Sequence, residues 1–373
     1  MFIPPFPNPS DFVCAGIILF CIIISWFYFF RYFRRVKITH HTAGKLPPVS
    51  LVIAARNELK NLQKHLPLWL SQNYPEFEVV IADDGSTDGT SAWITPMLEN
   101  EPRLGYVLLD AEYIKMHGKK LALTLGFKKA RYNHFVLTDA DCIPAGENWL
   151  SEMAAGFGSG AEIVLGYSPY TKSKGILGSM IQWETLLTAL HYLGFALAGK
   201  PYMGVGRNLA YTRKVYDQAG GFSAHHHLPA GDDDLFVQQA ANTKNVAVCI
   251  SAEAITSSAP KATWREWWRQ KKRHMWVGKY YPSAVKRSLA GFPIAQLLFW
   301  ICIPVWFILG AWWPYPLFFL FVKLIPEWII TAKKARILGI QGFGFSYPVW
   351  NLMYTFWYVI AGIASFFTKK PVW

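Results

Sequence analysis

The chain has 373 residues, room for two domains, and is 52% hydrophobic and 16% aromatic against only 16% charged residues, a balance that excludes an ordinary soluble enzyme and points to a membrane. A formal charge of +13 would suit nucleic acid, but many of the basic residues flank long apolar segments, as the positive-inside pattern has it, and no nucleic-acid module is present. Cys14, Cys21, Cys142, Cys249 and Cys302 show no paired metal-ligand spacing and imply no disulfide framework.

Phe12 to Phe30 carries no charge over a bilayer-crossing length, with Asp11 before it and Arg31, Arg34, Arg35 and Lys37 after it. Charges behind the apolar run rather than ahead of it predict an uncleaved transmembrane anchor over residues 1–37, with the following chain cytoplasmic. From Pro47 the texture alternates: a strand Val49 to Ala54, a helix Leu59 to Leu70 with Leu59, Leu62 and Leu66 on one face, then a strand Phe77 to Ala82. Each strand runs into a polar tip, Arg56-Asn57-Glu58 after the first and Asp83-Asp84-Gly85-Ser86-Thr87-Asp88-Gly89 after the second. A third short strand, Phe135 to Leu137, stops at Asp139 and Asp141. This repeat predicts a nucleotide-binding, mostly parallel α/β sheet with its ligand beyond the carboxyl ends of the strands. Two carboxylates one residue apart there suit a divalent cation such as Mg2+, which keeps several waters and takes the rest of its shell from substrate phosphates.

Pro-Pro-Val-Ser-Leu-Val-Ile-Ala-Ala-Arg-Asn-Glu, Val-Ile-Ala-Asp-Asp-Gly-Ser-Thr-Asp-Gly-Thr and Thr-Asp-Ala-Asp follow one another at the spacing of family 2 glycosyltransferases. From Pro47 to about Tyr281 the chain resembles their GT-A domain. The resemblance implies that Asp84, with Asp83 beside it, contacts the uracil and ribose of a UDP-sugar, and that Asp139 and Asp141 hold Mg2+ or Mn2+ on its diphosphate. Glu58 matches as well. His117-Gly118-Lys119-Lys120-Leu121-Ala122-Leu123 resembles the family's Gly-Lys-x-x-Ala-Leu-Asn segment, with Lys119 facing the nucleotide and Thr124 replacing the asparagine.

Gly204 to Tyr211 resembles the glycine-rich segment beside the acceptor, with Asn208 at the family's asparagine. Gly231-Asp232-Asp233-Asp234-Leu235-Phe236 sits at the family's Glu-Asp pair, whose aspartate is the general base. If Asp232 replaces the glutamate the base is Asp233; if Asp234-Leu235 sets the register it is Asp232, and the first is preferred. Gln270 and Arg273 keep the Gln-x-x-Arg-Trp motif, with His274 in place of the tryptophan beside the acceptor sugar. An arginine fork on a diphosphate stabilises a leaving group whose charge grows as the bond breaks.

Phe292 to Ala311, Leu317 to Ile330 and Val349 to Phe367 predict three further spans, while Ile176 to Ala198, broken by Glu184 and His191, and the Trp-, Arg- and Lys-rich Trp264 to Tyr281 predict interfacial elements. Lys323 and Glu327, one turn apart in the middle span, read as a structural pair. Lys369 and Lys370 oppose the orientation that three such spans would give the last one. The expected organisation is an anchor (1–37), a cytoplasmic GT-A domain (47–250), interfacial helices with the Gln-x-x-Arg motif (251–291) and transmembrane helices (292–373). The expected function is inverting, metal-dependent transfer of a hexosyl or N-acetylhexosaminyl group from a nucleotide-sugar to a lipid or growing glycan, as in cell-envelope polysaccharide or glycolipid synthesis. A nucleotide-binding transporter or scaffold without transfer activity is the alternative.

Overall fold

The computed structural model describes residues 8–39, 41, 46–109, 118–340, 342–343 and 346–368. Two compact units divide the chain: an α/β unit, Lys37–Trp267, and a helical unit made of the segment up to Val36 together with Trp268–Thr368. Helix α1 (Pro9–Arg31) belongs to the helical unit. The α/β unit then begins with β1 (Val49–Ala55), α2 (Leu59–Leu70), β2 (Phe77–Asp83), α3 (Thr90–Ile94) and β3 (Leu104–Leu108). It continues through α4 (Lys119–Lys129), β4 (His134–Asp139), β5 (Ile143–Pro144), α5 (Trp149–Ala155), β6 (Ile163–Gly166) and α6 (Gly175–Leu197). Next come β7 (Leu209–Thr212), α7 (Arg213–Gln218), α8 (Asp234–Ala240), β8 (Val246–Cys249) and β9 (Thr256–Ser257). Helix α9 (Trp264–Val277) leads into the helical unit, which also holds α10 (Ser283–Ile308), α11 (Pro314–Ile337) and α12 (Tyr347–Phe366).

Among the described residues, seven strands form one sheet in the order β3-β2-β1-β4-β7-β6-β8. β1 to β4 are parallel, β6 and β8 are parallel, and β7 runs antiparallel between β4 and β6. The sheet is therefore mixed but mostly parallel, and β1 and β2 read as continuous apolar runs because both faces are covered. On one face α2 lays Leu62, His65, Leu66 and Trp69 against the sheet, the spacing of a single helical stripe. On the other, α4 comes so close that a Cβ on Gly126 would lie 2.7 Å from Val52 Cγ1, and Phe127 stacks on Phe135 with 4.5 Å between ring centroids. Register sets the site: Ala55 pairs with Asp83, and Ala54 with Asp139, so the carboxyl ends of β1, β2 and β4 finish on one edge.

Two expectations change. Ile176 to Ala198 is a buried helix of the α/β unit rather than an interfacial one: α6 buries Trp183, Leu187 and Leu190, and its Tyr192 hydroxyl donates to the Gly166 carbonyl at 2.7 Å. The α/β unit also extends past residue 250, since β9 pairs antiparallel with β5, and α10 begins at Ser283, so residue 291 lies inside a helix rather than at a boundary.

In the helical unit, four helices among the described residues are long and apolar enough to cross a membrane: α1 continued to Arg35, α10, α11 and α12. α1 packs along α10 through Ile18, Cys21 and Ile22 against Ala295, Phe299, Ile303 and Trp306. Lys323 and Glu327 are fully buried, 2.8 Å apart, and joined to the other three helices. Lys323 donates to Gln296 Oε1 at 2.7 Å, while the Ser25 and Tyr347 hydroxyls donate to the Glu327 carboxylate. Every charged atom of the pair thus has a partner, which an apolar surrounding requires. Lys369 and Lys370 lie outside the described residues.

Candidate active site

The polar tips of β1 and β2 are laced together. The Thr87 amide donates to Asn57 Oδ1 and the Leu59 amide to Asp88 Oδ2, each at 2.8 Å. Asp83 is fully buried, its two oxygens accepting the Ser86 amide and the Tyr106 hydroxyl at 2.8 Å each. Asp84, also buried, accepts the Gly118 amide at 3.0 Å and lies 3.4 Å from Arg56 Nη1. Gly118 has a φ of 139°, which a side chain would strain, and this turn starts α4 with Lys119 as its first residue.

Lys119 joins the two ends of the site. Its Nζ lies 2.7 Å from Asp139 Oδ1 and 3.1 Å from Asp232 Oδ2, with the side chain only 12% exposed. The turn at Gly206 closes over it: a Cβ there would stand 3.0 Å from Lys119 Nζ and 3.4 Å from Asp232 Oδ2. Asp233 caps α8 by accepting the Asp234 amide and reaches back to the Gly206 amide at 3.0 Å. Next along α4, Lys120 is buried and donates to the His225 and Leu228 carbonyls, bracing the loop that delivers the three aspartates.

Burial alone would push the Lys119 ammonium down, but Asp139, Asp232 and Asp233 outweigh it and the net shift is upward. Asp232 is held low, because Lys119 overcomes the cost of burial. Asp233 is pushed up to about 6 by burial and by the Asp232 charge, against the pull of Lys119. Two aspartates adjacent in sequence therefore differ in character, one locked as a counter-ion and one poised near neutrality.

On the metal side, burial pushes Glu58 upward, and so do Asp141 and Asp139, against the Asn61 hydrogen bond. Burial and the Asp139 charge push Asp141 upward too, against Arg207. Two carboxyls pushed upward, each with the Asp139 charge among the causes, mark a region of negative potential of the kind a divalent cation relieves. Among the described residues no three acidic, His or Cys side chains converge as a ready-made metal cage.

Asn208 stands apart from this cluster. Asn208 is fully buried in β7's approach: its amide donates to the Tyr167 and Ala254 carbonyls at 2.8 and 2.7 Å and accepts from Trp149 Nε1 at 3.1 Å, the contacts of an internal strut rather than of an acceptor site. Gln270, Arg273 and His274 all lie on α9 within the helical unit, His274 exposed and the other two half-buried. His117 lies outside the described residues. Sequence reasoning passed over Arg207, whose guanidinium lies 4.2 Å over the Tyr170 ring, donates to Ser258 Oγ and the Ser168 carbonyl at 2.8 and 2.9 Å, and feels the Asp139 and Asp141 charges. The signal was its place in Gly-Val-Gly-Arg-Asn, where attention fell on the asparagine.

Residues 50–220 match the family described as Glycosyl transferase family 2. That stretch is a family 2 glycosyltransferase domain. Among relatives, this chain is 31% identical over 128 residues to a poly-beta-1,6-N-acetyl-D-glucosamine synthase of Staphylococcus epidermidis, covering 34% of this chain and 30% of the relative. It is 30% identical over 133 residues to glycosyltransferase AglE of Haloferax volcanii, covering 35% of this chain and 42% of the relative. The matches thus span less than half the length of these curated relatives. A solved structure of mannosyltransferase PcManGT from Pyrobaculum calidifontis, in complex with GDP-Man and Mn2+, shares the fold at a TM-score of 0.61 and 17% identity, over 96% of this chain and 99% of that chain. The architecture is therefore GT-A with transmembrane helices.

Proposed function

We propose that this glycosyltransferase moves a hexosyl or N-acetylhexosaminyl group from a UDP-sugar to a lipid or glycan acceptor at the membrane, with inversion and with its α/β unit on the cytoplasmic face. One observation carries the reading: Lys119 bridges Asp139, at the end of β4, to Asp232, at the start of α8, so donor-side and base-side carboxylates share one cluster. Arg31 at the end of α1 and Arg34 and Arg35 just after it support the orientation. The UDP preference and the roles of Arg273 and Gln270 at the leaving group rest on motif resemblance.

In this reading Asp233 removes the acceptor proton as the hydroxyl oxygen bonds to the anomeric carbon from the face opposite the nucleotide, and the carbon–oxygen bond to UDP breaks. Asp233 is the choice over Asp232 because it is the half-buried member of the triplet and has the raised pKa, while Asp232 is buried and paired with Lys119. Asp139 and Asp141, with Glu58 near them, would hold Mg2+ or Mn2+, whose contribution when bound is to neutralise diphosphate charge. Lys119 adds a cation to the same charge, and the buried Asp83 and Asp84 shape the strand-end loops around the nucleotide.

The test is UDP release by the full-length protein in detergent, with Mg2+ or Mn2+, against a panel of UDP- and GDP-sugars, with and without membrane lipid extract. Metal-dependent release from one donor, increased by acceptor, is expected. Nucleotide binding without any release from any donor would favour the scaffold or transporter reading.

A further inference from the structure

We infer that Lys119 is an exchangeable counter-ion: its ammonium occupies Asp139 in the donor-free site, and it passes to the donor diphosphate when metal and nucleotide enter. The inference rests on the glycosyltransferase reading of this site and adds a regulatory step to it, coupling metal binding to nucleotide binding.

The geometry is that of a bridge rather than a fixed strut. Asp139 Oδ1, 2.7 Å from Lys119 Nζ, belongs to the carboxylate whose charge also acts on Glu58 and Asp141, so in this reading an ammonium and a divalent cation compete for one carboxylate. The Lys119 side chain is 12% exposed and Asp139 is 32% exposed, which puts this competition in a weakly screened place but leaves Asp139 open to solvent. Like charges at such separations repel by several kcal/mol even at an effective dielectric of about 20, so a cation bound to Asp139 disfavours the ammonium there. Lysine can answer that repulsion. Its four-carbon stem turns freely, its ammonium binds phosphate as a point charge, and the bare Gly206 backbone beside it leaves room that a Cβ would take.

Asp232 gives the move a direction. It stays within 3.1 Å of the ammonium and keeps Lys119 tethered on the base side when Asp139 is released. A donor diphosphate arriving with the metal supplies the negative charge that replaces Asp139. Metal alone takes Asp139 from the ammonium and leaves it Asp232 as a counter-ion without a replacement for Asp139, whereas metal and nucleotide together supply that replacement. Each ligand therefore raises the affinity of the other, and that coupling is reciprocal.

The test titrates the full-length protein in detergent with Mn2+ alone, followed by electron paramagnetic resonance, and then with UDP at saturating Mn2+. Lys119→Met and Lys119→Gln should bind Mn2+ about tenfold more tightly than wild type without nucleotide, and UDP about tenfold more weakly with metal present. The glutamine variant keeps a hydrogen-bonding side chain should the methionine variant misfold. Unchanged or weaker Mn2+ binding in the folded variants overturns the inference. Asp139→Asn separates the two levels. If it abolishes Mn2+ binding while the Lys119 variants bind as wild type, the counter-ion role alone fails; if it binds Mn2+ as wild type, the metal reading fails and the inference with it.

Discussion

Asp233 accepts the Gly206 amide at 3.0 Å and so ties the amino end of α8 to the glycine-rich turn before β7. With its second oxygen on the Asp234 amide, the carboxylate has a fixed direction while staying half-buried, and Asp232 beside it is turned to Lys119. Asp233→Asn should abolish transfer, by a factor of about 10²–10⁴, and leave the affinity for UDP-sugar near wild type, because a general base acts on the acceptor and not on the donor. Asp232→Asn should be milder and should weaken UDP binding through Lys119. Steady-state kinetics of both variants decide it: a dead Asp232→Asn beside an active Asp233→Asn would assign the base to Asp232.

The same residue sets the pH response. With its carboxyl raised to about 6 by burial and by Asp232, Asp233 is protonated, and useless as a base, below that pH. kcat/KM should be level above about pH 6 and fall about tenfold for each unit below it. Losing the nearby positive charge in Lys119→Met should push the limb to higher pH, since Lys119 is the charge that opposes the rise. A profile flat from pH 5 to 8 would speak against Asp233 as the base.

Asp139→Asn or Asp141→Asn should remove the metal dependence of UDP binding while the protein stays folded. An amide keeps the shape and loses the charge that a hard cation needs. UDP affinity measured against Mn2+ concentration reads this directly, and an unchanged dependence in both variants would take these residues out of the metal site.

Asn208 should behave as a strut. Asn208→Ala deletes the acceptor for Trp149 Nε1 and the two amide donors to the Tyr167 and Ala254 carbonyls, leaving buried groups unsatisfied at about 1–3 kcal/mol each. The thermal midpoint should fall, with the acceptor KM of the surviving folded enzyme unchanged. A raised acceptor KM at an unchanged midpoint would return Asn208 to the acceptor site.

In the helical unit, Lys323→Met or Glu327→Gln alone should destabilise by about 3–5 kcal/mol, because each leaves a buried polar partner uncompensated. Lys323→Met combined with Glu327→Met should cost much less than the sum. Unfolding of the four proteins in one detergent gives the coupling energy; additive effects would mean that the pair is not a unit.

The α/β alternation, the four long apolar helices and the strand-end carboxylates were legible in the sequence because they depend on local periodicity and on which side chain follows an apolar run. Val49 to Ala54, Leu59 to Leu70 and Phe77 to Ala82 match β1, α2 and β2 to within a residue. Asp139 and Asp141 stand where the end of β4 puts them. Register and burial were not legible, since both depend on partners distant in the chain. Whether Ile176 to Ala198 lies on a membrane or in a core turns on what covers its apolar sides, and its composition is the same in either place. Asn208 stands at the asparagine of the segment that resembles the family's acceptor-side motif, yet Tyr167, Ala254 and Trp149 close around its amide. Arg207 was overlooked because an arginine is ordinarily solvated, and only the fold brings Tyr170, Ser168 and Ser258 to hold it beside the carboxylates. The three successive aspartates are chemically equal on paper. Tertiary structure separates them by charge and by exposure, placing the Lys119 ammonium against Asp232 and leaving Asp233 half-buried with its pKa raised.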